Sequence, residues 1–160
     1  MKINYLRWLK AHRIDEGVKR AGRGPGSVLV AEYIRICVDD DVDTARRAFA
    51  RALLPYALGD KTATPRERQR GYRAHFERMG FADALTALEG MREGGAPAAD
   101  LVEALPADLL LKVGYFGRAE GARAAFLALA EGLDTAMVRV VAARPGVEAT
   151  LAVMRACAPG

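Results

Sequence analysis

A chain of 160 residues, 51% hydrophobic and 28% charged with a formal net charge of +4, is long enough to bury one core and too apolar for a disordered segment. No apolar run approaches the roughly 18 residues of a membrane span. Residues 1–8 carry Lys2 and Arg7 and lack the apolar core of a secretory signal.

Cys37 and Cys157 supply neither a zinc set nor a disulfide framework, so a reducing, cytoplasmic setting is expected. Acidic residues interleave with the arginines, which favours small anionic ligands and gives no nucleic-acid signature. The spacing of Leu6, Leu9, Ile14 and Val18 predicts a helix over 4–21, stopped by Gly22, Gly24, Pro25 and Gly26. Residues 28–38, rich in Val, Ile and Tyr with only Glu32 and Arg35 charged, predict a strand buried on both sides in a parallel sheet. Asp39, Asp40, Asp41 and Asp43 stand where an N-cap and a helix dipole favour negative charge. Ala45, Ala48, Phe49, Ala52, Leu53 and Tyr56 then form the apolar face of a helix ending near Gly59.

Thr64-Pro65 predicts a second helix to Met79, with Tyr72, Phe76 and Met79 as its stripe and Gly80 as its end. Helices follow over 82–92, 98–104 and 106–113. A very short strand is expected at Tyr115-Phe116, then a helix over 118–131 with Ala122, Ala125, Phe126 and Leu129 inward, a strand over 135–142 and a last helix over 147–156. The order is that of an α/β domain.

Several pieces in one order carry a family resemblance: Ala21-Gly22-Arg23 with Gly26 before the first strand, Cys37-Val38-Asp39-Asp40-Asp41-Val42-Asp43-Thr44-Ala45-Arg46 after it, and Phe76-Glu77-Arg78-Met79-Gly80-Phe81. Leu105-Pro106-Ala107-Asp108-Leu109-Leu110, the turn from Gly114 to Gly117, the helix from Glu120 to Gly132 and Leu133-Asp134-Thr135 complete it. From about residue 5 onward the chain resembles the C-terminal half of the luciferase-like monooxygenase superfamily, oxidoreductases that use reduced FMN or the deazaflavin coenzyme F-420. Where that family commonly carries Gly-Thr-Pro-Glu, this chain has Gly117-Arg118-Ala119-Glu120.

The resemblance implies a partial (β/α)8 TIM barrel of two or three parallel strands, since a complete barrel takes about 250 residues. It also implies that the cofactor-holding strands belong to a first half outside residues 1–160. On that expectation the chain is inactive alone and needs a complementary N-terminal half, with a small-molecule substrate in the complete enzyme.

Four residues stand out as cofactor contacts: Arg35, Gly117, Arg118 and Arg139. Leu29, Ala31, Tyr33, Arg35 and Cys37 share one face of the first strand, so Arg35 is open to an anion or to an ion pair with Glu32 or another carboxylate. Arg139, among valines in the last strand, is open in the same way. Gly114, Gly117 and Arg118 precede a helix N-terminus whose N–H groups suit a phosphate, although glycines there also serve the turn itself. Cys37 reads as a small buried hydrophobe before a nucleophile, and the aspartates lack the glycine and distal glutamate of a calcium loop. His12 and His75 have no triad context. Arg66, Arg70 and Arg73, spaced along one helical stripe, read as a solvated face or a partner contact. The competing functional expectation is a non-catalytic assembly module whose open strand edges pair with a complementary half-barrel or with a second copy.

Overall fold

The computed structural model describes residues 13–59, 64, 66 and 71–159. The first half of the expected helix over 4–21 lies outside these residues, as do His12, Arg70 and most of 64–70. What is described of the first helix is α1, Asp15–Arg20. It stops where Gly22 takes φ 64°, a left-handed conformation in which a Cβ is disfavoured.

β1, Ala31–Val38, begins three residues later than the apolar run. The Val30 N–H is held by the Asp134 carboxylate at 2.8 Å, and the Val30 carbonyl accepts from the Asp134 and Thr135 amides. α2, Val42–Leu58, is capped by Asp41, whose side chain accepts from the Asp43 amide and from the Thr44 hydroxyl at 2.7 Å. The helix ends at Gly59, with φ 66°.

α3, Tyr72–Phe76, runs into a widened turn, Glu77–Phe81, in which Gly80 takes φ 95°. α4, Ala82–Glu93, α5, Ala98–Ala104, and α6, Ala107–Val113, lead to the four-residue β2, Gly114–Gly117. α7, Ala119–Ala130, β3, Thr135–Val140, and α8, Val147–Cys157, complete the order.

The three strands are parallel and lie in the order β2–β1–β3. The parallel α/β class is as expected; the order and the helix placement differ from a barrel half. In a singly wound barrel each strand pairs with its chain neighbours and the helices form one outer ring. Here β3 lies beside β1, so the β1-to-β2 and β2-to-β3 connections run in opposite directions along the sheet. With crossovers of one hand, that places their helices on opposite faces.

The packing agrees. Cys37 on one face of β1 joins Phe49 and Leu53 of α2 and Leu109 and Leu110 of α6. On the other face Ile34, Ile36 and Val38 pack with Ala122 of α7 and Val153 of α8. Each large aliphatic side chain buried in this way contributes about 1.5–3 kcal/mol relative to exposure.

Gly114 lets β2 come close. A Cβ there would stand 2.3 Å from the Arg35 carbonyl oxygen and 2.6 Å from Cζ of Phe49. Among the described residues, the α2 side of the sheet is covered near the carboxyl end of β1 and not before it. Tyr33, two residues before Arg35, is 58% exposed and Leu29 78%.

Candidate anion-binding site

Arg35 and Arg139 are direct partners across the parallel β1–β3 pair. In-register neighbours point to the same face, so two guanidiniums emerge side by side on the partly bare α2 side of the sheet. The last turn of α2 brings Tyr56 between them. The Arg35 Cζ lies 4.8 Å from the Tyr56 ring centroid, and the Arg139 guanidinium points to the Tyr56 hydroxyl at 3.5 Å. Tyr72 meets the Tyr56 ring edge-on, centroids 5.0 Å apart, and fixes its plane.

The electrostatics are one-sided. Among the described residues, neither Arg35 nor Arg139 comes within ion-pair distance of a carboxylate. The pair with Glu32 open to Arg35 is not formed; Arg35 stacks on Tyr56 instead. The two guanidiniums, Arg35 first, hold the Tyr56 phenol below its ordinary 10.0 by favouring the phenolate. Glu32 moves upward, because desolvation outweighs the nearby Arg35 charge.

A cavity of about 70 Å³ adjoins Tyr56 and is lined by Glu32, Arg35, Tyr72, His75 and Lys112 among others. It is less than half the roughly 150 Å³ that encloses a benzene ring, so it takes a small group and not a fused ring system. His75 is shifted below its ordinary value, by burial and then by Arg78.

Gly117 and Arg118 lie elsewhere. Gly117 is level with Val38 at the carboxyl edge of the sheet, beyond the Arg35–Arg139 pair. The Tyr115 side chain folds back over this turn and donates its hydroxyl to the Arg118 carbonyl at 2.8 Å. A Cβ on Gly117 would meet that hydroxyl oxygen at 2.7 Å and one on Gly121 at 2.4 Å. The glycines therefore make room for Tyr115, and the ring fills the space over the start of α7. Of the four residues the sequence points to, two are brought together and two belong to a separate, occupied turn.

At the same carboxyl edge a crevice of about 530 Å³ opens between Asp39, Asp40, Ala119, Arg144 and Glu148, between strands whose following helices lie on opposite faces. Ligands of doubly wound sheets sit at such places. Arg144 is committed there to a two-point pair with Asp39, at 2.7 Å and 3.1 Å, which holds the Asp39 carboxyl below its ordinary value. Among the described residues no three His, Cys, Asp or Glu side chains gather to hold a metal.

Cys37 is fully buried. Desolvation, and secondarily Asp39, push its thiol up to about 12, the opposite of an activated nucleophile. Arg73 departs from the solvated stripe expected of it. It is turned inward, pairs with Glu77 at 3.0 Å and Glu89 at 2.9 Å, and ties α3 to α4 across the Gly80 bend. Tyr56 was the residue missed. Its place at the end of an apolar helical stripe conceals the hydroxyl; the only signal is a tyrosine, not an aliphatic, in the last turn before Gly59.

Compared with protein families, with curated proteins and with solved structures, the chain matches none.

Proposed function

We propose that this chain is the C-terminal part of a flavin- or deazaflavin-dependent luciferase-like oxidoreductase, one that acts only when joined to the strands holding the cofactor ring. The observation that carries the reading is the open sheet. It is parallel, its outer strands β2 and β3 each pair on one side only among the described residues, and the uncovered part of one face bears the Arg35–Tyr56–Arg139 cluster. The order of elements between residues 21 and 156 supports the family. The guanidinium pair fits the acidic end of FMN or of coenzyme F-420, whereas the Gly117–Arg118 turn, filled by Tyr115, does not.

In the barrel form of this proposal β2 yields its place. It is four residues long and pairs with β1 only over Arg35–Val38, so a longer strand from the complementary half would take its place beside β1. The bound cofactor would supply hydride transfer or oxygen chemistry. This chain's residues would hold its anionic end through Arg35 and Arg139 and keep water from the cluster on the Tyr72 side.

The second reading, a non-catalytic assembly module that pairs with a complementary half or with itself, rests on the outer edge of β3. Unpaired backbone groups there are a template for another strand, and Val147 and Met154 on α8 are 66% and 56% exposed.

Light scattering together with cofactor titration separates the two readings. The oxidoreductase reading expects no tight FMN or deazaflavin binding by the chain alone and its appearance when a separately produced N-terminal half is added. A stable complex with that half and no gain in cofactor binding favours the assembly module. A dilution-resistant monomer that never associates contradicts both.

A further inference from the structure

We propose that the Arg35–Tyr56–Arg139 cluster is a phosphate-monoester site that this chain forms by itself, without any complementary half. It rests on the geometry of the described residues and stands whether or not the oxidoreductase reading holds.

Three observations carry it. First, two arginines occupy directly opposed positions on adjacent parallel strands, about 4.8 Å apart by the ordinary strand spacing. Like charges placed opposite each other are destabilising. Elsewhere in the chain Arg46, Arg73, Arg92 and Arg144 meet carboxylates, yet this pair has none among the described residues. An anion from solution held between the two guanidiniums would offset their repulsion.

Second, the donors suit more than one oxygen. A single carboxylate saturates one guanidinium, whereas the three terminal oxygens of a phosphate monoester can bridge two guanidiniums and still accept from the Tyr56 hydroxyl. Tyr56 is positioned for this by its contacts with Arg35, Arg139 and Tyr72.

Third, the surroundings are open and aromatic. Tyr33 and Tyr72 are each 58% exposed beside the charges, and the adjoining cavity of about 70 Å³ is too small for a ring. The phosphate therefore sits on the arginines while the rest of the ligand lies outward against tyrosine.

The groups around Tyr56 are Arg35 on β1, Arg139 on β3 and Tyr72 on α3, with Glu32, His75 and Lys112 lining the neighbouring cavity. An anion bound between the arginines neutralises the charges that favour the phenolate, so binding raises the pH at which Tyr56 ionises.

The test titrates the chain with inorganic phosphate, phenyl phosphate, FMN, riboflavin and a single-stranded oligonucleotide at constant ionic strength, by calorimetry and by the ultraviolet absorbance of the phenolate. Saturable binding of phenyl phosphate is expected, with riboflavin silent and FMN no tighter than phenyl phosphate. Arg139→Gln, at an exposed position, should weaken binding about tenfold or more, the loss of one charge-assisted contact. Arg35→Gln should do the same, while Arg123→Gln on the exposed side of α7 changes nothing. Circular dichroism checks that each variant is folded.

Absence of saturable phenyl phosphate binding overturns the proposal, as does binding that survives Arg139→Gln in a folded protein. Preference for a single-stranded oligonucleotide over the monoesters at equal phosphate also overturns it, in favour of a phosphodiester backbone. Tight FMN binding by the chain alone leaves the site standing and sinks instead the claim that a complementary half is needed.

Discussion

At the scale of single residues the chain separates charges that are satisfied from charges that are not. Arg46 is held by Glu103 and its carbonyl, and Arg144 by Asp39, while among the described residues Arg35 and Arg139 meet Tyr56 and no carboxylate at ion-pair distance. The consequence can be measured without a ligand. Removing either guanidinium, by Arg35→Gln or Arg139→Gln, should move Tyr56 ionisation upward toward the ordinary 10.0, observed as a later phenolate transition in an absorbance titration. An unchanged transition would mean that the two side chains do not meet the phenol in solution.

The thiols provide a second residue-scale prediction. With Cys37 buried and its thiol at about 12, a thiol reagent at neutral pH should modify only Cys157 in the native protein and both cysteines after denaturation. Rapid loss of two thiols in the native state would contradict the placement of Cys37 in the core. The sequence made Arg35 and Arg139 conspicuous, because arginine is rare in an apolar strand. It could not show that they are neighbours, since that depends on the register of two strands about a hundred residues apart.

At the scale of elements, local chemistry sufficed for most of the fold. α2 begins after a capping aspartate and ends at a glycine with positive φ. α5 is the element expected, and α7, β3 and α8 differ from expectation by one or two residues at their ends. The helix expected to run from Thr64 to Met79 ends at Gly80 as expected, but Gly71 is extended (φ −72°, ψ 170°), so the described helix begins only at Tyr72. Past Gly80, whose positive φ of 95° breaks the helix, the chain turns into α4. Arg73 accordingly faces Glu89 of the next helix, a contact that no single-helix pattern contains.

Two element-scale outcomes follow. Gly114→Ala forces a methyl group against the Arg35 carbonyl and the Phe49 ring; overpacking of this kind costs about 1–3 kcal/mol, read as a lower denaturation midpoint. Stability equal to the parent would mean that β2 is not seated where described. At the carboxyl edge, the folded-state pKa of Asp39 lies below its ordinary 3.8, chiefly through the Arg144 hydrogen bond. A group depressed on folding contributes stability that is present above the unfolded pKa and lost as pH falls through the folded one. Arg144→Gln should therefore remove part of the acid-side slope in the denaturation midpoint below about pH 4, and an identical slope would show that the pair is open in solution.

At the scale of the whole molecule, composition and periodicity gave the parallel α/β class but not the strand order. Sequence neighbours usually pair in space, and the barrel expectation follows that rule. The structure sets β1 between its two successors: β2 pairs with it over four residues, with the glycine at 114 in close approach, and β3 over six. The result is a sheet with helices on both faces, a bare patch on one of them and an edge on either side. That openness is common to both proposals, a phosphate held by Arg35 and Arg139 and a cofactor ring held by strands of a complementary half.

The most direct measurement is a pair of titrations, FMN and phenyl phosphate, into the chain alone and then into its mixture with a separately produced N-terminal half. Equal, modest affinities are expected for the chain alone, and a large gain for FMN only once the halves combine. Stoichiometric, tight FMN binding by the chain alone, or a mixture that complexes without any gain for FMN, would contradict that expectation.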